Sequence, residues 1–376
     1  MNTAARSRAG PDDAGWARAT DGGGAIPVRD RLSGLIADFG LAAQRTRILA
    51  CYDAIFGGSL DAPPGTGPQR NSRLSEDGTP VQFATAAGPA IPSLRLVGDP
   101  ALPQDTGAAR LARGRAAMEQ VAGILGIRAE LDRLRPLLAV LAPEGDRHLR
   151  DDPAGALWIG AGFAPGTAGR MRLYLNGAWG GAAQRRGRLA AFAAHFGQSR
   201  EWRAAEARLP AGLSPLGVAL TLAPGRAPAG ALYLRGFGLR LDDFAELAWH
   251  AGGPVNAQSI RAFGAALLGA GVACPTASAV VSLGFGAGPV LPVDLEFCAH
   301  CLFRNDAEAG QRLLALLSAL DLDPGPYRTL ARHMQPGADA AGPPRIHSFV
   351  GLDAKAAPPA CTVYMKPDLT ARRCPG

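Results

Sequence analysis

Arg172-Leu-Tyr-Leu175, Ala231-Leu-Tyr-Leu-Arg235 and Thr362-Val-Tyr-Met-Lys366 repeat one pattern along the chain. Each sets a tyrosine between two aliphatic residues, with a cation two positions away. In a strand, residues i and i+2 share a face. Each segment therefore turns a phenol and a cation to one side and its aliphatic residues to the other. The chain has only five tyrosines, so three in one pattern mark a repeated element. The repetition predicts phenols and cations facing a common interior, and hence a site for an anion.

Working outward, each segment is the second member of a strand-like pair. Five pairs are predicted: Pro80 to Ala86 with Ser93 to Val97, Ala156 to Phe163 with Arg170 to Asn176, Leu216 to Leu222 with Gly230 to Gly236, Ala279 to Phe285 with Val293 to Leu302, and Arg345 to Leu352 with Cys361 to Lys366. Short linkers rich in Gly, Pro and Ala separate the members of each pair, as hairpins require. Between the pairs lie stretches with apolar residues at i, i+3 and i+4, a helical period. They run from Asp30 to Phe56, Ala108 to Leu141, Gln184 to Leu209, Leu241 to Leu268 and Ala307 to His333. Each is interrupted once, near Gly40, Gly126, Gly197, Gly253 and Pro324, and so reads as two helices.

The order helix, helix, strand, strand thus recurs five times. The fold class is α+β: a ten-stranded antiparallel barrel ringed by helices, closed so that no strand edge is left free. Its strands are expected to be apolar toward the helices and mixed inside, as in Val293-Asp-Leu-Glu-Phe-Cys298. A barrel of this width holds a lumen, and Gly160, Gly162, Ala219 and Gly284 leave room in it. We expect one domain over residues 28–370, a disordered leader over 1–27 and a short tail over 371–376.

Composition narrows the class. Hydrophobic residues make up 47% and charged residues 19% of 376 residues, a globular balance. There is no apolar run long enough for a membrane span and no apolar signal segment at the N-terminus, so a cytoplasmic protein is expected. The net charge of +7 comes from scattered arginines, without the basic runs and interleaved aromatics of a nucleic-acid binder. Six cysteines make no disulfide framework. Cys298-Ala-His-Cys301 has no second pair at ligand spacing, and reads as ordinary thiols in an apolar run.

Asn71-Ser-Arg-Leu-Ser-Glu-Asp-Gly-Thr-Pro-Val-Gln-Phe83 enters the first strand, followed by Leu94-Arg-Leu96, Arg172-Leu-Tyr174 and Val363-Tyr-Met-Lys-Pro367. In this order these motifs resemble the aromatic prenyltransferases of the ABBA barrel, in the dimethylallyltryptophan synthase branch. The resemblance implies transfer of a dimethylallyl or longer prenyl group from its diphosphate to an indole, another electron-rich acceptor or a peptide side chain. It implies no obligatory magnesium and no other cofactor. Consistent with this, the sequence has no DDxxD motif; Asp151-Asp152 and Asp242-Asp243 are lone pairs that suit a turn or helix start. The expected partners are a prenyl diphosphate and a small acceptor, with no nucleic acid and no membrane, in a monomer or homodimer. A barrel of the same ancestry that binds its ligand without turnover is the alternative.

The resemblance implies diphosphate ligands at Arg95, Arg172, Arg235, Arg345 and Lys366, of which Arg345 has either face open to it. It implies a carbocation shield of Tyr174, Tyr233 and Tyr364. Two cations of the family pattern are absent, since Ala229 and Ala231 precede Tyr233. Gln82 stands where the indole enzymes carry Glu: an amide oxygen still accepts an N–H bond but takes no proton as a carboxylate does. Glu296, His300 and His347 are therefore the candidate bases, and Trp158 and Gln82 the candidate acceptor pocket.

Overall fold

The structure is a computed structural model in which residues 26–60, 72–88, 93–143, 145, 147, 157–177, 179–269, 273–286, 288–334, 343–354 and 360–369 are described. The tail, most of the expected leader and Asp151-Asp152 lie outside them.

Ten strands alternate in pairs with helices: β1 (Val81–Ala87), β2 (Leu94–Gly98), β3 (Leu157–Phe163), β4 (Arg170–Asn176), β5 (Leu213–Leu222), β6 (Ala229–Gly236), β7 (Ala279–Phe285), β8 (Val293–Cys298), β9 (His347–Asp353) and β10 (Ala360–Met365). Each is antiparallel to its sequence neighbours, and β10 pairs with β1 to close the barrel. The expected helix pairs are Val28–Asp38 with Arg45–Phe56, Gly107–Leu125 with Arg128–Leu141, Ala182–His195 with Ser199–Glu206, Leu241–Gly252 with Pro254–Leu268, and Asp306–Ala319 with Gly325–Met334. Four of the five helix breaks fall on glycines with positive φ, Gly40, Gly126, Gly197 and Gly253, a conformation that costs other residues more. Asp243 starts a helix by accepting a bond from the Arg240 N–H, and Asn305 caps another by accepting from the Glu308 N–H.

The alternation along the strands sorts the side chains into two clusters. Phe83, Leu173, Leu232, Leu283, Phe297 and Val363 turn outward and pack with helix residues such as Leu35, Ile48, Val121, Phe244 and Leu313 in one continuous core. Full burial of each such side chain contributes about 1.5–3 kcal/mol. A second, separate cluster of Ala219, Ala231, Tyr233 and Val280, joined by Tyr174 and Phe349, lies inside the barrel. No described helix is long and apolar enough to cross a membrane.

Three expected strand limits are corrected. The fourth pair ends at Cys298, whose N–H bonds the Ser278 carbonyl; a bond from the Phe303 N–H to the Ala299 carbonyl then closes one helical turn, Ala299–Leu302. Arg345 lies before β9 and Lys366 after β10. A bulge interrupts the pairing of β9 with β10: Tyr364 faces Phe349 and Met365 faces His347, so Ser348 is the extra residue.

Candidate active site

The lumen holds a cavity of about 700 Å³, bounded among others by Gln82, Trp158, Tyr174, Tyr233, Tyr364, Phe349, Arg235 and Glu296. Arg73, Asn176, Trp179 and Leu216 also line it. Most of the side chains expected to face inward therefore meet in one space.

Gln82 sits on β1 beside the segment that enters it. That segment is folded on itself: Asp77 accepts from the Thr79 N–H, and the Gly78 N–H reaches the Ser75 carbonyl with Gly78 at φ 79°. The result brings Leu74 and Ser75 over Gln82. Its Nε2 lies 2.8 Å from the Leu74 carbonyl oxygen, 3.0 Å from Ser75 Oγ and 2.8 Å from Ser348 Oγ. The carbonyl accepts only, which fixes Nε2 toward it and leaves Oε1 as the acceptor turned to the cavity. A carboxylate at position 82 would meet that carbonyl with no proton to share. The pocket is built for an amide.

Beneath the cavity, cations and phenols interlock. Arg95 donates from Nη1 to Tyr364 Oη at 2.8 Å, and its guanidinium lies 5.7 Å from that ring's centroid. Arg172 donates to Tyr233 Oη and lies 5.4 Å and 5.8 Å from the Tyr174 and Tyr233 rings. The Tyr174 and Tyr233 rings are 6.3 Å apart. Neither arginine lines the cavity itself; their guanidinium groups lie against the phenol rings that do. Arg170, exposed at the start of β4, is repelled by both and marks a third cation on the same wall. Burial works against the charge of Arg172, but the Tyr233 hydroxyl that accepts from it, the electron-rich tyrosine ring faces and the Glu296 carboxyl offset it, and its pKa is raised. Burial also raises the phenol pKa values of Tyr233 and Tyr364, so both stay protonated. The Tyr174 hydroxyl and the Nε atoms of Arg172 and Arg235 are buried without a hydrogen-bond partner, donors available to a ligand.

Glu296 on β8 completes the layer. Tyr364 Oη lies 3.5 Å from its Oε1, so Arg95, Tyr364 and Glu296 form a chain. Gly351 makes room for it: a Cβ there would come within 2.8 Å of Glu296 Cγ. Burial pushes the Glu296 carboxyl up, against the pull of Arg172 and Arg95. A buried carboxylate whose pKa is raised holds a proton more readily than a free one, which suits it to proton transfer at the cavity wall.

Four expected site residues are placed elsewhere. His347 is 1% exposed and points into the helix layer, 2.7 Å from Asp306 Oδ1 and 3.0 Å from the Tyr327 hydroxyl. The bulge at Ser348 is the reason: the extra residue reverses the face on which position 347 falls. Arg345, beyond the strand, is 3.8 Å from Asp368. Lys366 is buried, but its Nζ is bound to Glu76 at 2.5 Å and to Asp77 at 3.1 Å. His300 lies on the helical turn after β8, between Cys298 and Cys301. Ser348, Phe349, Trp179 and Arg73 were not foreseen. Arg73 and Ser75 lie in a run the sequence reading singled out; Ser348 and Phe349 gave no signal, because their place depends on the bulge.

No family model and no curated protein matches this sequence. Solved structures do. The 5-dimethylallyltryptophan synthase of Streptomyces coelicolor superposes with a TM-score of 0.75 at 21% identity, over 92% of this chain and 97% of that one. The 6-dimethylallyltryptophan synthase of Micromonospora olivasterospora, solved with DMASPP and Trp, gives 0.72 at 20% identity over 92% and 98%. AnaPT of Neosartorya fischeri gives 0.65 at 14% identity over 90% and 92%. The chain thus has the fold of the aromatic prenyltransferases, the ten-stranded ABBA barrel with its ring of helices.

Proposed function

We propose that this barrel is a prenyltransferase that moves a dimethylallyl or longer group from its diphosphate to an indole or other electron-rich acceptor. The observation that carries this reading is the layer of Arg95, Arg172, Tyr174, Tyr233 and Tyr364 beneath a 700 Å³ aromatic cavity. Fold likeness to tryptophan prenyltransferases supports it.

The chemistry follows from the layer. Breaking the allylic C–O bond sends its electron pair out with pyrophosphate and leaves a carbocation. Arg95, Arg172 and the free Nε of Arg172 meet the charge that develops on the leaving oxygen. In this reading guanidinium groups, and no metal, supply that charge. Tyr174, Tyr233 and Tyr364 lay π-faces and phenols between the cations and the cavity, which stabilises the carbocation and excludes water that would quench it. Gln82 Oε1 accepts the acceptor's N–H or O–H and orients the ring. The ring carbon attacks the cation, and its proton leaves to Glu296, the carboxylate at the cavity wall whose proton affinity burial raises.

Incubation with dimethylallyl diphosphate and a panel of indoles, phenols and peptides, with EDTA present, tests this. Transfer to at least one acceptor is expected. No transfer together with no heat of binding for the diphosphate overturns it. Binding without transfer selects the second reading, a ligand-binding barrel, which Ala229, Ala231 and the amide at Gln82 favour.

A further inference from the structure

Apart from the residues that line the cavity, the end of β8 gathers an unused group of side chains. Cys298 Sγ is 2.8 Å from His300 Nδ1, and Cys301 Sγ is 3.4 Å from His300 Nε2. Donor atoms of the three residues all lie within 4.8 Å of one another. A fourth donor comes from the segment before β1: Glu76 Oε2 is 3.7 Å from His300 Nδ1. Sequence spacing offered no second cysteine pair; the fold supplies a histidine and a distant carboxylate in its place. We propose that Cys298, His300, Cys301 and Glu76 form a site for a thiolate-preferring divalent cation of the zinc type.

The donor set suits such an ion. Two sulfurs, an imidazole and a carboxylate are tetrahedral zinc ligands, with Zn–S of about 2.3 Å and Zn–N of about 2.0–2.1 Å. Neighbouring donors in such a tetrahedron stand about 3.4–3.8 Å apart. The spread of the Cys298, His300 and Cys301 donors, at most 4.8 Å, closes by about 1 Å of side-chain movement, chiefly a swing of the His300 ring to aim one nitrogen, with Glu76 Oε2 already 3.7 Å from that ring. The one-turn helix Ala299–Leu302 already folds Cys301 back toward Cys298. Glu76 is oriented from behind, since its other oxygen, Oε1, holds Lys366 Nζ. The site is electronegative: two thiolates, Glu76 and the neighbouring Asp77 face only Lys366, so a divalent cation offsets charge that one lysine leaves uncompensated. Each thiol releases its proton to solvent as its metal–sulfur bond forms, and no electrons are exchanged. An ion here would tie β8 to the segment whose Leu74 and Ser75 hold Gln82.

The test uses the full chain stripped with EDTA and titrated with Co²⁺ alone, then with Zn²⁺. One equivalent of Co²⁺ is expected to give a near-ultraviolet sulfur-to-cobalt band with intense tetrahedral visible bands, both abolished by Zn²⁺. Cys301 is only partly buried, so Cys301→Ser is the variant of choice; Cys298→Ser risks the fold at a buried site. Cys301→Ser is expected to lose much of the sulfur band and to weaken Zn²⁺ binding by more than the roughly 10–100-fold that loss of an outer partner costs. Glu76→Gln is expected to keep the sulfur band while weakening Zn²⁺ binding. Circular dichroism checks that each protein is folded. No sulfur band in the folded, stripped protein, or a band unchanged by Cys301→Ser, overturns the proposal.

Discussion

The wall built by β2, β3 and β4 and the wall built by β6, β7 and β8 enclose one lumen with opposite chemistry. The first carries Arg95, Arg170 and Arg172 with Trp158 and Tyr174. The second presents Ala229, Ala231, Ser282 and Gly284, with one cation, Arg235, with Tyr233 reaching across to Arg172, and with Glu296 supplying a carboxyl group. Three arginines are thus gathered on one wall, and a single arginine stands with a carboxyl group on the other, although the repeats share a backbone.

The sharpest way to break the comparison is Arg172→Ala. It removes the charged bond to Tyr233 and the donor at Nε, so affinity for dimethylallyl thiolodiphosphate is expected to fall by about 1.5–3 kcal/mol, measured by calorimetry. An unchanged affinity would mean that the cationic wall is structural only. Lys366→Met serves as the contrast, because this cation is spent on Glu76 and Asp77. Denaturant melts should show a loss of about 1–3 kcal/mol for carboxylates left without their partner, with diphosphate affinity unchanged.

Glu296→Gln sharpens the opposite wall. Without its negative charge beside Arg95 and Arg172, diphosphate binding is expected to tighten while prenyl transfer slows. Stability against pH gives a second readout. The folded-state pKa of Glu296 is raised, so the folded protein holds this proton where the unfolded chain has lost it. Its contribution is therefore fully present below about 4.3, the ordinary glutamate value, and is lost as pH rises through the folded-state pKa. Melts over this range should show that part of the slope vanish in the Gln variant. The smallest effect on ligand binding is expected from Arg345→Ala: its guanidinium lies 3.8 Å from the buried Asp368, away from the cavity lining, and diphosphate affinity measured by calorimetry should not move.

The barrel was legible because its signal is periodic: helix breaks at glycines, hairpin linkers, and strands apolar on one face. The site was legible where a residue sits inside a regular strand, as at Arg95, Arg172, Tyr174, Tyr233, Tyr364 and Glu296. It failed at strand ends and at the bulge. Lys366 keeps the same two-residue spacing from Tyr364 as Arg172 does from Tyr174, yet the ladder stops at Met365 and the lysine turns to Glu76. His347 is a candidate base only if it faces inward, and the extra residue at Ser348 puts it on the opposite face from Phe349. Gln82 was flagged as an amide in place of a carboxylate, but the reason lies in Leu74 and in Ser348 of a distant strand, which meet it only in three dimensions.

Closure of the ring between β10 and β1 has a consequence for how the protein is made. A chain leaving the ribosome exposes the free edge of β1 until its last strand arrives, and pairing so distant in sequence is slow to form. The bonds from Arg95 to Tyr364, from Gln82 to Ser348 and from Lys366 to Glu76 all span that seam. Closing the pocket therefore waits for β10, and a nascent chain that stalls before Ala360 offers an aggregation-prone edge and a pocket without Tyr364.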